Sequence, residues 1–135
     1  MKRGIRWIPE AAVRAMHAEL IAEHGGVEGL RDPGLLSSAV ARPKNRRAYG
    51  RSSSIFDLAA VYGTGMVRNH PFIDGNKRVA WMVVYAFLEM NGYRLEAPEV
   101  EAVGMMLALA AGETDEGSLS RWLKRYSVPF VTEAL

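Results

Sequence analysis

Between Arg78 and Glu89 the chain runs for ten residues, VAWMVVYAFL, without a single charge. A helix on the surface of a protein alternates apolar and polar faces, so a helix that is apolar all round belongs in the middle of a bundle. Ten residues are about half of the roughly 20 needed to cross a bilayer, so the run predicts a buried core helix and no membrane span. A core is within reach, because 135 residues with 49% hydrophobic and 24% charged side chains describe an ordinary globular chain. Residues 1–135 are therefore expected to form a single domain.

The rest of the chain reads as helices separated by strong punctuation. Pro9 suits a first turn, and Val13, Met16, Leu20 and Ile21 recur at helical spacing until Gly25 and Gly26. Asp32 and Pro33 form a cap and first-turn pair for a short second helix, which Pro43 is expected to end. The stretch ARPKNRRAYGRSSS, with five cations, then reads as a mobile surface loop whose charge serves solvation or contact with a partner. A third helix runs from Ser54 through Ile55, Leu58, Ala59 and Met66 to near Asn69, and tolerates Gly63 and Gly65. The chargeless helix begins near Asn76 and stops at Asn91-Gly92. YRLEAP is a candidate extended piece, Pro98 opens a fifth helix to Gly112, and a sixth runs from about Asp115 to Tyr126. The expectation is an all-α, compact six-helix bundle with a central buried helix, with 127–135 as a partly disordered tail.

Composition narrows the function. A formal charge of +2 permits an anionic ligand but falls short of the cationic stripe of a duplex-DNA binder, so direct nucleic-acid binding is not expected. Without cysteine there is no disulfide framework and no thiolate metal site, and the amino terminus lacks a long apolar segment of secretory type. A cytoplasmic location follows as the expectation. His17 lies within the first helix and His24 just before its stop, so both read as structural, and no zinc-ligand spacing appears.

The chemistry is concentrated in HPFIDGNKR, His70 to Arg78, at the mouth of the chargeless helix. A helix N-terminus presents unpaired N–H groups and the positive end of the dipole, which suits an anion. Gly75 allows close approach of a phosphate, while Lys77 and Arg78 add cations, the arginine with a two-pronged fork. Asp74 argues against a purely anionic preference unless a magnesium ion mediates, held by one carboxylate and phosphate oxygens. His70 is then the nearby neutral group able to accept a proton. Singly, each residue reads more simply as a turn or a solvated face; their contiguity favours a phosphate-transfer site.

The stretch resembles the signature of the Fic and Doc superfamily, H-P-F-x-[DE]-G-N-[GK]-R, and Lys77 in the penultimate place resembles its Doc (death-on-curing) toxin branch. The likeness extends over Ile21 to Pro43, Asn69 to Tyr93 and Leu109 to Leu123. It implies a Fic/Doc-like bundle and a toxin of a bacterial toxin-antitoxin pair, with ATP as substrate and Mg2+ as cofactor. It further implies His70 as general base, Asp74 as metal ligand, and Gly75, Asn76 and Lys77 as the anion hole. Arg78 becomes the phosphate-binding arginine, and Phe72 the buried aromatic that anchors the loop.

Two departures shape the expected reaction and its control. The adenylyl-transferring Fic branch usually has glycine in the place of Lys77 and a second arginine where this chain has Trp81. The resemblance therefore implies transfer of the gamma phosphate to a hydroxyl of elongation factor Tu, with inhibition of translation. An AMP transferase is the alternative within the family, and a non-catalytic helical module binding protein or nucleic acid is the alternative outside it. The inhibitory pattern [ST]-x-x-x-E-[GN] of Fic-type enzymes does not fit either Glu28-Gly29 or Glu116-Gly117, because His24 and Gly112 stand four places before the glutamates. Inhibition is thus expected in trans from a Phd-like antitoxin; the MMLALA helix is a candidate wall for the groove it would need, although core packing is the simpler use of such a stretch.

Overall fold

The computed structural model describes residues 4–49 and 52–131. Six helices and two short strands succeed one another in the described residues: α1 Glu10–His24, α2 Pro33–Ala48, α3 Ile55–Asn69, α4 Asn76–Met90, β1 Tyr93–Leu95, α5 Glu99–Ala110, α6 Glu116–Tyr126 and β2 Ser127–Pro129. The expected all-α bundle with a central buried helix is what these residues form.

The helix at the centre is α3, not the chargeless α4. From Phe56 to Val67 every residue of α3 except Asp57 is buried. A helix surrounded by neighbours needs small side chains as well as apolar ones. A methyl group on Gly63 would come within 3.0 Å of Val84 on α4, and one on Gly65 within 3.2 Å of the Ala39 side chain on α2. These two glycines bring α4 and α2 close to the α3 axis. α4 packs on it through Val79, Ala80, Val83, Val84, Phe87 and Leu88, whereas Trp81, Met82, Tyr85 and Ala86 on its other face are half-buried. That second face is apolar in sequence but sits at the rim of the bundle.

α2 corrects a second expectation. Pro43 does not end it: the helix continues to Ala48, so Ala41–Ala48 is helical where a mobile loop was expected. A proline inside a helix forfeits one backbone bond and crowds the carbonyl four places before it. Here the ring is buried against the core, and the last turns are tied across to α6 by Arg42 and Arg46, which pair with Glu116 at 3.4 and 2.7 Å. Part of that stretch's charge thus serves intramolecular ion pairs.

Caps set the other boundaries. The Asp32 carboxylate accepts from Leu35 N at 3.1 Å and starts α2. Ser54 and Asp57 form a reciprocal capping box at the head of α3, and Asp115 accepts from Ser118 N at the head of α6. The Asp57 carboxylate also accepts from Ser120 Oγ at 2.6 Å, which joins α3 to α6. At the other end, β1 and β2 pair antiparallel with Arg94 opposite Val128, and Phe130 N donates to Gly92 O at 2.8 Å. The expected disordered tail is therefore corrected over Ser127–Pro129, which is paired strand; its last residues, 132–135, lie outside those described.

Candidate active site

The loop from His70 to Gly75 connects the end of the buried α3 to the start of α4, so its two ends inherit the rigidity of the core. Inside it, the Asn76 side chain closes a ring on Phe72: Oδ1 accepts from Phe72 N and Nδ2 donates to Phe72 O, both at 2.9 Å. Phe72 is buried and stacks on His17 of α1, with ring centroids 3.8 Å apart. The His17 Nε2 lies 2.7 Å from the carbonyl oxygen of Asp74. A carbonyl only accepts, so the proton belongs on Nε2 of that imidazole.

Asp74 is exposed but held. One carboxylate oxygen accepts from Val27 N at 3.1 Å and the other from Gly75 N at 2.9 Å. The backbone beyond α1 passes so near that a methyl group on Gly26, whose φ is 121°, would stand 2.6 Å from Asp74 Oδ2.

At the opposite end of the loop His70 caps α3 with left-handed backbone, φ 51° and ψ 55°. Its N–H still bonds to Met66 O at 3.2 Å. Left-handed backbone costs a residue with a Cβ roughly 1–2 kcal/mol. The guanidinium of Arg31 stands against that cost: Nε donates to His70 O at 2.7 Å and Nη2 to Asn69 O at 2.8 Å. Both bonds come from an exposed guanidinium, so each contributes less than the roughly 1.5–3 kcal/mol of a shielded charged hydrogen bond, and they offset part of that cost.

His70, Asp74, Gly75, Asn76, Lys77 and Arg78 all line one cleft of about 430 Å3, closed on its far side by Leu20, Ile21 and His24 at the end of α1. The imidazole of His70 is exposed and has no hydrogen-bond partner among the described residues. Lys77 and Arg78, also exposed, form no ion pair among them. The α4 N-terminus has no side-chain cap, and its first intrahelical bond is Val79 N to Gly75 O at 3.0 Å. The N–H groups of Asn76, Lys77 and Arg78 are thereby left for an anion.

Two of the expected phosphate contacts differ in kind. The Gly75 N–H is already taken by its neighbour's carboxylate. The Asn76 side chain is buried in the loop, so that residue offers only its backbone. Phe72 lies behind the cleft as an anchor.

Asp74 is the carboxylate in the cleft, and each of its oxygens keeps a lone pair beyond the backbone bond it accepts. No group of three or more metal-ligating side chains occurs among the described residues. A divalent ion would fit as magnesium does in nucleotide sites, on one carboxylate with phosphate and water oxygens completing the shell.

Sequence reasoning missed the supports. His17 was read as structural without a task, although Val13, His17, Leu20 and Ile21 share one helical face and it alone among them carries a hydrogen-bonding ring. Gly26 was read only as part of a helix stop, and Arg31 and Val27 carried no signal that tied them to the motif.

The cleft opens along α4 into a largely apolar groove of about 620 Å3, with Glu23, Glu99, Lys77 and Arg78 also in its lining. Trp81 and Met82 line it with Leu20 and His24 of α1 and Val103, Met106 and Leu107 of α5. Val103 and Leu107 are both about half exposed, at 52% and 51%. Trp81 packs toward Trp122, at 6.5 Å between ring centroids.

The chain has relatives among known proteins. Residues 7–88 match the model of the Fic/DOC family. The chain is 31% identical over 122 residues to "Protein kinase doc" of Escherichia phage P1, covering 90% of this chain and 95% of that one. It is 37% identical over 107 residues to "Toxin Doc" of Mycolicibacterium smegmatis, covering 76% of this chain and 82% of the other.

Proposed function

This chain belongs to the Fic/DOC family, and from that premise we propose that it is the toxin of a toxin-antitoxin pair and acts by transferring the gamma phosphate of ATP to a hydroxyl of elongation factor Tu, which stops translation. The observation that carries the reading is the single cleft in which the His70 imidazole, without a hydrogen-bond partner among the described residues, faces the same space as Asp74, Lys77, Arg78 and the first amides of α4. The names of the two relatives, a protein kinase and a toxin, support it.

The neutral imidazole of His70 takes the proton of the acceptor hydroxyl as that oxygen attacks the gamma phosphorus. The bond from gamma phosphorus to the bridging oxygen breaks, and ADP leaves with the electron pair. Lys77, Arg78 and the α4 amides surround the transferring phosphoryl group, where charge builds up. Asp74 would hold a magnesium ion, which when bound neutralises phosphate charge.

Trp81 supports phosphate over AMP transfer. It stands where an adenylyl transferase of this family would carry a second arginine, and it is a half-buried aromatic of the groove wall. The groove itself fits an amphipathic helix of an antitoxin, laid along α4 with one end reaching the cleft. Its apolar α5 wall and its continuity with Lys77 and Arg78 are the grounds for that partner.

Incubation of the purified protein with elongation factor Tu and ATP labelled in either position tests the reading. Label should pass from gamma-labelled ATP and not from alpha-labelled ATP. Alpha label with a mass gain of AMP would move the protein to adenylyl transfer. Absence of any transfer and of thermal stabilisation by magnesium ATP would make it a binding module.

A further inference from the structure

Three successive carbonyls, from the last residue of α3 into the loop beyond it, accept from one residue outside the motif. Arg31 donates from Nη2 to Asn69 O at 2.8 Å, from Nε to His70 O at 2.7 Å and from its backbone N to Pro71 O at 2.7 Å. The guanidinium stands on a fixed base. Its neighbour Asp32 caps α2 and donates its own N–H to Pro71 O at 3.1 Å. Asn69 Nδ2 returns a bond to Leu35 O at 2.9 Å, and Leu30 bridges to Phe72.

The residue so gripped holds unfavourable backbone. His70 is the one non-glycine with positive φ among the described residues, and it precedes Pro71, whose ring disfavours helical backbone before it and favours extended backbone. The direction of a side chain follows its φ and ψ, so relaxation to extended backbone would carry the imidazole away from Asp74, Lys77 and Arg78.

We propose that Arg31 is a positioning residue for His70: its two-pronged guanidinium locks the carbonyls of Asn69 and His70 and thereby keeps the imidazole in the cleft. The inference rests on His70 being the base of the reaction proposed above. A lysine, with a single ammonium, reaches one carbonyl well and cannot span two in a plane.

The test compares Arg31→Gln, Arg31→Lys and His70→Ala with the wild type in three measurements. These are magnesium ATP affinity by calorimetry, single-turnover transfer from gamma-labelled ATP to elongation factor Tu, and the 13Cα and 13Cβ shifts of His70, which report its backbone. Arg31→Gln should lose up to about 10²-fold in transfer rate, the penalty of a small misplacement, with ATP affinity unchanged and the His70 shifts moved toward extended values. Arg31→Lys should fall between it and the wild type, and because it keeps the charge it carries the comparison if Arg31→Gln does not fold. Unmoved His70 shifts, or full transfer in Arg31→Gln beside an inactive His70→Ala, overturn the proposal. Full transfer in His70→Ala overturns the base assignment instead, a result the Arg31 variants cannot imitate.

Discussion

His17 and Phe72 stack face to face, ring centroids 3.8 Å apart and planes 6° from parallel, and the same imidazole donates to the carbonyl of Asp74 at 2.7 Å. One α1 side chain therefore fixes both the anchor of the loop and the backbone of its carboxylate. His17→Ala removes a buried ring and a hydrogen bond together, and should destabilise the fold by about 2–4 kcal/mol. His17→Phe keeps the stack and loses only the bond, so it should recover most of that stability while nucleotide binding stays weakened. Urea unfolding and calorimetry of the two variants separate the contributions. Equal nucleotide affinity in His17→Phe and the wild type would show that the bond to Asp74 does not matter to the cleft.

His70→Ala should leave the melting midpoint nearly unchanged, since the ring is exposed and has no partner among the described residues. Transfer should drop by roughly 10²–10⁴-fold, the usual loss with a general base, and ATP should bind as before. A purified variant that transfers phosphate at the wild-type rate would remove His70 from the mechanism.

Helix limits were legible where the signal is local. Ser54, Asp115 and Asp32 each announce a helix start by a side chain that bonds three residues ahead. Pro43 misled because a buried ring and the pairing of Arg42 and Arg46 with Glu116, 74 and 70 positions away, outweigh one lost backbone bond. The centre of the bundle was misplaced for a related reason: absence of charge marks α4 in the sequence, but the small residues of α3 decide which helix its neighbours can surround. The motif itself was readable because its residues are contiguous. Its supports were not, because Arg31 reaches His70 across 39 positions and His17 reaches Asp74 across 57; Arg31 carries no pattern of its own, and His17 shows only as a polar ring on an apolar helix face, which names no partner.

Acid should loosen the joint between α3 and α6. Burial pushes the Asp57 carboxyl up, but hydrogen bonds from Ser120 and Ser54 outweigh it and hold the group below the usual aspartate range. Between that lowered folded value and the unfolded value of about 3.9, the unfolded chain binds more protons, so stability rises with pH there and is lost as pH falls. Asp57→Asn should cost on the order of 1 kcal/mol at pH 7, the size of a lost helix cap. Its deficit should shrink below about pH 4, where the unfolded wild type begins to bind the proton, and should be smallest once pH has passed the lowered folded value. Glu10 and Asp115, also lowered, steepen both curves alike and cancel in the difference. Urea midpoints from pH 7 to 3 measure it, and a deficit that stays constant across that range would remove Asp57 from the acid response.

Gly26 and Asp74 provide a pair of substitutions that separates metal holding from backbone support. Asp74→Asn removes the charge and one of the two oxygens that accept from Val27 N and Gly75 N. It should raise the magnesium midpoint for ATP binding by about tenfold or more, with little loss of stability from an exposed carboxylate. Gly26→Ala keeps the carboxylate but forces a methyl group to within 2.6 Å of Asp74 Oδ2 from backbone at φ 121°. A side chain at that φ is strained, so this variant should lose about 1 kcal/mol or more, and the displaced carboxylate should weaken the magnesium response as well. Melting curves and metal titrations on both variants give a two-by-two outcome, in which Asp74→Asn moves only the titration and Gly26→Ala moves both. An unchanged magnesium midpoint in Asp74→Asn would take the metal away from this carboxylate and leave Asp74 as a brace for the Gly26–Val27 backbone.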